Sequence, residues 1–372
     1  MVFLAVAFPY SLAPVYRFPP PRTFSGAALW NPYAHPSGAW QRANLHAHGH
    51  AWSGLTNGTH SDEEVVEAYR QRGYSVPGVS DYQWIAAQHG VDTLPLYEHG
   101  YNITKEHQLA IGARRVEWLD FPVWTWLDQK QFILNRVAET SDLLAINHPG
   151  TAYTESDFRH LTGYHLIEVV NGPFRFEDVW DAALSSGHAI WALANDDIHD
   201  LTNVRRMGIA WNMIDAPSAG LADVVAALGH GRTYAVSLVG EKADAALAGV
   251  EVHGQTITVQ SAGVPATFVF IGQDGVVRKT ADQVMHASYE LQAADTYIRT
   301  VIRTANMVMY LNPIIRYDGG TLPVPAAVVN ESMTWVWRAI VAVGCVVVPA
   351  LLWRRRSVTH MGRRVPAERE TA

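Results

Sequence analysis

The stretch Ala43-Asn44-Leu45-His46-Ala47-His48 reads as a buried strand ending in two histidines. Residues two apart on a strand point to the same face, so both imidazoles converge on one spot. Similar apolar runs follow at Ser75–Ser80, Thr93–Glu98, Gln108–Ala113, Leu143–Asn147, His165–Val170, Ala189–Asn195 and Gly208–Met213. Helices fall between several of them. Ser61-Asp62-Glu63-Glu64 is a capping-box pattern that opens a helix closing near Gly73. Asp128–Thr140 and Phe176–Ser185 read as two more. Such alternation over residues 40–240 predicts an α/β barrel or an open α/β sheet. Pro77 within the second run fits a central strand poorly.

The rest of the chain differs. From Ala243 to about residue 325 the pattern shifts to short alternating strands, with Gln273-Asp274-Gly275 as a hairpin turn. This predicts a small antiparallel, sandwich-like β domain. Residues 333–353 are apolar except for Arg338, and at about 1.5 Å per residue they match a hydrocarbon core about 30 Å thick. Trp335, Trp337 and Trp353 flank the segment, and Arg354, Arg355, Arg356, Arg363 and Arg364 follow. The expectation is a transmembrane helix, a basic cytoplasmic tail over 354–372, and the bulk of the chain outside the cytoplasm. Residues 1–21 are apolar and proline-rich, too short for a confident span and without a basic leader, so a partial signal or anchor is the expectation.

Composition narrows the function. The 372 residues carry 28 Lys plus Arg against 35 Asp plus Glu, a net charge of −7. That balance argues against a nucleic-acid partner. One cysteine, Cys345, excludes a disulfide framework and iron–sulfur ligation. Thirteen of the 17 histidines lie between Asn31 and Asp200, pointing to one histidine-rich region. Successive apolar runs there end, or begin, with a hard or borderline ligand: His46 and His48, Glu98, His107, His148 in Asn147-His148-Pro149, and Asp197 with His199 in Asp196-Asp197-Ile198-His199. The carboxyl ends of strands form the active face of α/β folds. His107 alone starts its run, so it must reach the site from a preceding loop or an antiparallel strand.

This ordered set resembles the PHP (polymerase and histidinol phosphatase) family of metal-dependent phosphoesterases. Asn44–His48 is similar to its first motif, and Asn57-Gly58 with Ser61–Val66 to its Asp-Gly stretch and first helix. Val79-Ser80-Asp81-Tyr82 stands where Thr-Asp-His is usual. Leu94–Glu98, His107–Gly112, Asn147–Pro149 and Asp196–His199 resemble the later motifs. The resemblance implies a distorted β/α barrel. It implies a first metal on His46, His48, Glu98 and Asp197, and a second sharing Glu98 with His107 and His148. One or two divalent ions per chain (Zn, Mn or Fe) suit such imidazole and carboxylate ligands and would activate a water. The third family site departs, reading Asn57, Tyr82 and His199, which predicts weak metal occupancy there.

His199, Tyr82 and Asp81 are the candidate catalytic residues, Tyr82 through hydrogen bonds to substrate and Asp81 behind the ligands. Glu117 is a rival bridging ligand read instead as a surface residue or one that supports the ligands from behind, and Glu168 either orients a ligand histidine or faces solvent. The aromatic run Trp118–Trp126 is read as core packing or membrane contact before a stacking platform. Lys105, Arg114 and Arg115 are weak phosphate-contact candidates. The expected function is a membrane-anchored phosphoester hydrolase acting on a small phosphorylated substrate. Two alternatives stay open: an idle metal-stabilised sensor or binding module, and an amidohydrolase-like barrel, which lacks its expected bridging lysine.

Overall fold

A computed structural model describes residues 8–361. The N-terminal residues 1–7 of the expected anchor and residues 362–372 of the expected basic tail lie outside the described residues. Two compact units divide the chain, Phe18–Ala327 and the two ends on either side of it.

The larger unit opens with β1 (Trp40–Asn44), α1 (Asp62–Arg70), β2 (Val76–Pro77), β3 (Leu96–His99) and β4 (Gln108–Ile111). It continues through α2 (Leu127–Ala138), β5 (Leu143–Ile146), α3 (Glu155–Phe158), β6 (Leu166–Asn171), α4 (Glu177–Ser185), β7 (Trp191–Asn195), β8 (Ala210–Asp215), α5 (Leu221–Gly229) and β9 (Thr233–Leu238). The capping box forms as the sequence predicts. The Ser61 hydroxyl accepts from the Glu64 N–H at 3.2 Å and the Glu64 carboxylate accepts from the Ser61 N–H at 2.8 Å. Pro77 is tolerated because β2 is a two-residue edge strand, paired in parallel with β1 at Ala43 and Asn44.

The strands of the expected distorted β/α barrel do not close into one sheet. One sheet runs β7-β6-β5-β4-β3, with Phe174–Arg175 added antiparallel to β6. β7, β6 and β5 are mutually parallel, while β4 is antiparallel to both β5 and β3. The strands β8 and β1 belong to a second, nine-stranded sheet. The physical reason lies along the free side of β7, where side-chain amides replace a backbone ladder. Asn312 Oδ1 accepts from the Ala192 N–H, Asn212 Oδ1 from the Ala194 N–H and Asn44 Oδ1 from the Asp196 N–H, at 2.8, 2.8 and 2.9 Å. In return Asn195 Oδ1 accepts from the Leu45 N–H at 2.8 Å. All four asparagines are buried. Each amide satisfies backbone groups that the interior could not otherwise leave unpaired.

Asn212 also donates to the Ala194 carbonyl at 2.7 Å. Asn212→Ala would orphan both backbone groups of Ala194, and each such group costs about 1–3 kcal/mol. We expect a loss of about 2–4 kcal/mol by denaturant unfolding. A loss within experimental error would mean that the amides are not what joins the sheets.

The second half of the unit supplies β10 (Ala245–His253), β11 (Thr256–Gly263), β12 (Ala266–Ile271), β13 (Val277–Val284), β14 (His286–Glu290), β15 (Tyr297–Arg303) and β16 (Met307–Tyr317). The turn at Gln273–Gly275 joins β12 to β13 as the sequence predicts, with Asp274 and Gly275 at positive φ. The compositional change near residue 240 is not a break between sheets. β9 pairs with β16 from Tyr234–Leu311 to Leu238–Met307, and the sheet reads β13-β12-β15-β16-β9-β8-β1-β2, with Ala28–Trp30 as a ninth strand antiparallel to β16. β10, β11 and β14 form a separate three-stranded sheet. Buried Arg299 on β15 reaches α4, making two 2.7 Å bonds to Asp181 and one of 2.9 Å to Glu177.

In the smaller unit, α6 (Glu331–Met361) is a 31-residue helix. Its stretch Glu331–Val348 has mean hydropathy 1.4 and is 6% buried, long and apolar enough to cross a membrane. The Trp337 indole donates to the Tyr10 carbonyl at 2.8 Å and the Arg338 guanidinium to the Ser11 carbonyl at 3.3 Å. Tyr16–Arg17 pairs antiparallel with Val328–Val329.

Candidate metal centre

His46 and His48 follow β1 directly. Their backbone is held by the segment after β7: the Asp197 N–H donates to the His46 carbonyl at 3.0 Å and the His48 N–H to the Ile198 carbonyl at 2.9 Å. The two-residue period then brings the imidazoles together, with their Nε2 atoms 3.1 Å apart. Glu98 comes from β3, whose N–H reaches the Ser80 carbonyl at 3.1 Å. His107 immediately precedes β4, so the antiparallel direction of that strand delivers it to the same end as its neighbours. Gly100 sits between them at φ +129, where a Cβ would come within 2.6 Å of the His107 ring. His148 and Asp197 close the circle.

All six side chains expected to bind metal meet in this space. The His46 Nε2 lies 3.2 Å from Glu98 and 3.2 Å from Asp197, and the His48 Nε2 lies 3.2 and 3.4 Å from the same carboxylates. His107 Nδ1 and His148 Nε2 approach Glu98 Oε1 at 3.1 and 3.2 Å. His199 Nε2 lies 3.2 Å from Asp197. Ligand atoms at about 2.0–2.1 Å from one ion in a tetrahedron stand about 3.4 Å apart, so these separations suit a shared cation. The orphaned atoms agree. Glu98 Oε2 and His107 Nδ1 are buried without a hydrogen-bond partner. A buried His/Glu/Asp cluster of this kind fits a divalent metal site.

The electrostatics have the same origin. Burial opposes charge on His46, but Asp197, Glu98 and Glu168 outweigh it and hold its pKa well above the ordinary value. Against the same burial, Asp197 and Glu98 push His48 up to about 9. Burial alone would raise Glu98 and Asp197, yet the surrounding histidines keep both well below the usual carboxylate range. The carboxylates therefore draw positive charge into the cluster, and a bound cation would take the place of protons.

Glu168 is the orienting group. Fully buried on β6, it accepts from His46 Nδ1 at 2.8 Å, leaving Nε2 to face the cluster. It also accepts from the His148 N–H at 2.8 Å, Asn195 at 2.8 Å and Asn171 at 3.0 Å. Asn147 donates to Glu98 at 2.9 Å. The sequence reading missed these asparagines, whose only signal was their place at strand ends. It also missed the backbone: His148 has φ 25 and Asp197 φ 51, both in the left-handed region.

Of the candidate catalytic residues, His199 stacks on His48 with ring centroids 4.3 Å apart and groups with His48 and Asp197. The Tyr82 ring stacks on His48 from another side at 4.6 Å. Burial, reinforced by Glu98 and Asp197, raises its pKa, so the phenol stays protonated. Asp81 accepts from the Gly49 N–H at 2.7 Å and stands 3.8 Å from His48 Nδ1, behind the ligands. Burial and neighbouring Asp62 push it up to about 7.

Other candidates fall elsewhere. Glu117 pairs with Arg136 at 2.8 Å and Arg114 with Asp142 at 2.5 Å. In the aromatic run Phe121 is buried, but Trp118, Trp124 and Trp126 are exposed, so core packing does not account for them.

No family model matches this chain, and no curated protein matches it. Among solved structures, a two-domain protein from Bacteroides vulgatus that contains a predicted PHP-like metal-dependent phosphoesterase is similar over 84% of this chain and 100% of its own, at 12% identity and a TM-score of 0.42.

Proposed function

We propose that this chain is a PHP-type phosphoesterase, anchored to a membrane by α6 with the larger unit outside the cytoplasm. The observation that carries the reading is the convergence of five histidines and two carboxylates at one end of two sheets, with lone pairs aimed inward. His46, His48, Glu98 and Asp197 would hold one divalent ion, and Glu98, His107 and His148 a second. Bound there, the ions would polarise a phosphoryl oxygen and lower the pKa of a water. The chain's own residues have separate tasks. Glu168 fixes the His46 tautomer. Protonated Tyr82 donates a hydrogen bond toward substrate. Asp81, behind His48, holds the Gly49 backbone.

The test uses the full-length chain in detergent. We expect about one or two Zn, Mn or Fe ions per chain by elemental analysis. Hydrolysis of 4-nitrophenyl phosphate or a diester analogue should be lost on chelation and restored by added metal. Metal-loaded protein inactive on phosphomonoesters and diesters alike would overturn the reading in favour of a binding module.

A further inference from the structure

A cavity of about 790 Å³ lies apart from the cluster of histidines. Its wall carries Arg42, Arg72, Arg175, Arg205 and Lys242, with Glu241 as its one acidic side chain. This is a concentration of positive charge in a chain whose net charge is −7. Among the described residues none of these five cations forms an ion pair, whereas Arg70, Arg114, Arg136 and Arg299 all do. Arg175 is held by neutral acceptors, donating to the Gly172 carbonyl at 3.0 Å, the Phe174 carbonyl at 2.8 Å and the Ser237 hydroxyl. Arg42 donates to the Arg72 carbonyl and the Tyr74 hydroxyl, both at 3.3 Å, while its buried Nε has no partner. Arg42 also lies over the Tyr74 and Trp211 rings, 4.2 and 4.4 Å from their centroids, so Arg42 and Arg175 are held without a carboxylate partner.

Like charges gathered around one space repel, and an anion that enters relieves the repulsion. Guanidinium forks match phosphate geometry in particular. The volume suits a small organic ligand, for which about 300–1,000 Å³ is usual. We propose that this cavity is a binding site for a multiply charged, phosphate-bearing small molecule, distinct from the metal centre. Its wall is nevertheless hydrogen-bonded to Asn195 and Asp196, the residues that lead from β7 to Asp197. The Gly172 N–H donates to the Asn195 carbonyl at 2.7 Å and the Gly208 N–H to Asp196 at 2.6 Å.

The test titrates inorganic pyrophosphate into full-length protein that has been stripped of metal and dialysed, so that the histidine cluster cannot capture it through an ion. Calorimetry should show saturable binding that weakens with added salt. Arg205 and Lys242 are exposed, so the double variant Arg205→Glu/Lys242→Glu should fold with an unchanged Tm and bind at least about tenfold more weakly. Asp197→Asn should bind pyrophosphate as the parent does, which separates this site from the metal centre and its function. A parallel arm uses phosphatidylcholine vesicles with and without a phosphoinositide. Sedimentation with the phosphoinositide vesicles but no heat from pyrophosphate would overturn the soluble ligand. No binding in either arm, or binding unchanged in the double variant, would overturn the site.

Discussion

Asp197→Asn should reduce phosphoester turnover by roughly 10³-fold or more and lower the metal content of the purified chain. The carboxylate oxygen of Asp197 lies within 3.4 Å of His46, His48 and His199, more imidazoles than face any carboxylate of the cluster except Glu98. An amide of the same shape carries no charge to hold a cation there. The substitution is also conformationally mild. Asp197 occupies φ 51, and asparagine enters the left-handed region more readily than most residues. Folding should therefore persist while chemistry fails, and near-normal far-UV circular dichroism beside lost turnover is the expected pair of results. Full activity in this variant would remove Asp197 from the metal site.

The largest stability effect should come from Arg299→Met. Arg299 is 2% exposed and makes a two-pronged contact with Asp181. Burial would strip charge from it, but Asp181 and Glu177 outweigh that and raise its pKa further. Methionine removes the cation and leaves Asp181 buried without its partner. Breaking a buried pair in this way costs about 3–5 kcal/mol. The loss should appear as a lower denaturant midpoint at unchanged slope. Adding Asp181→Leu should recover part of it, because the buried carboxylate is then gone and Glu177, partly exposed, can reach water. A midpoint equal to the parent's would show that the pair is dispensable to α4 packing on β15.

How far the sequence carries to the structure depends on the range of the contacts. The approach of His46 to His48 follows from strand period alone, and their chemistry is legible in a single pentapeptide. His107 is legible as a ligand type, and its reversed position predicts the loop or antiparallel delivery that β4 provides. The α1 cap is local and is correctly read. What the sequence conceals is long-range. Asn44 meets the backbone of Asp196, 152 residues away, and no local pattern distinguishes that amide from a surface asparagine. Without it, strand–helix alternation fits a barrel and an open sheet alike. The change near residue 240 is similar, because composition registers the change of strand style but not the pairing of β9 with β16. Glu168 stayed ambiguous in sequence because its four donors come from His46, His148, Asn171 and Asn195.

The asparagine seam has a consequence for how such a centre can change over generations. A barrel closed by main-chain pairing has a rim whose width is dictated by strand number and stagger. Here that spacing rests on four side chains, one each on β1, β7, β8 and β16, and each is reached by mutation of one codon. Changes at Asn212 or Asn312 can thus alter the gap between the sheets without removing any side chain of the cluster, whereas Asn195 also holds Glu168 and would disturb the orientation of His46.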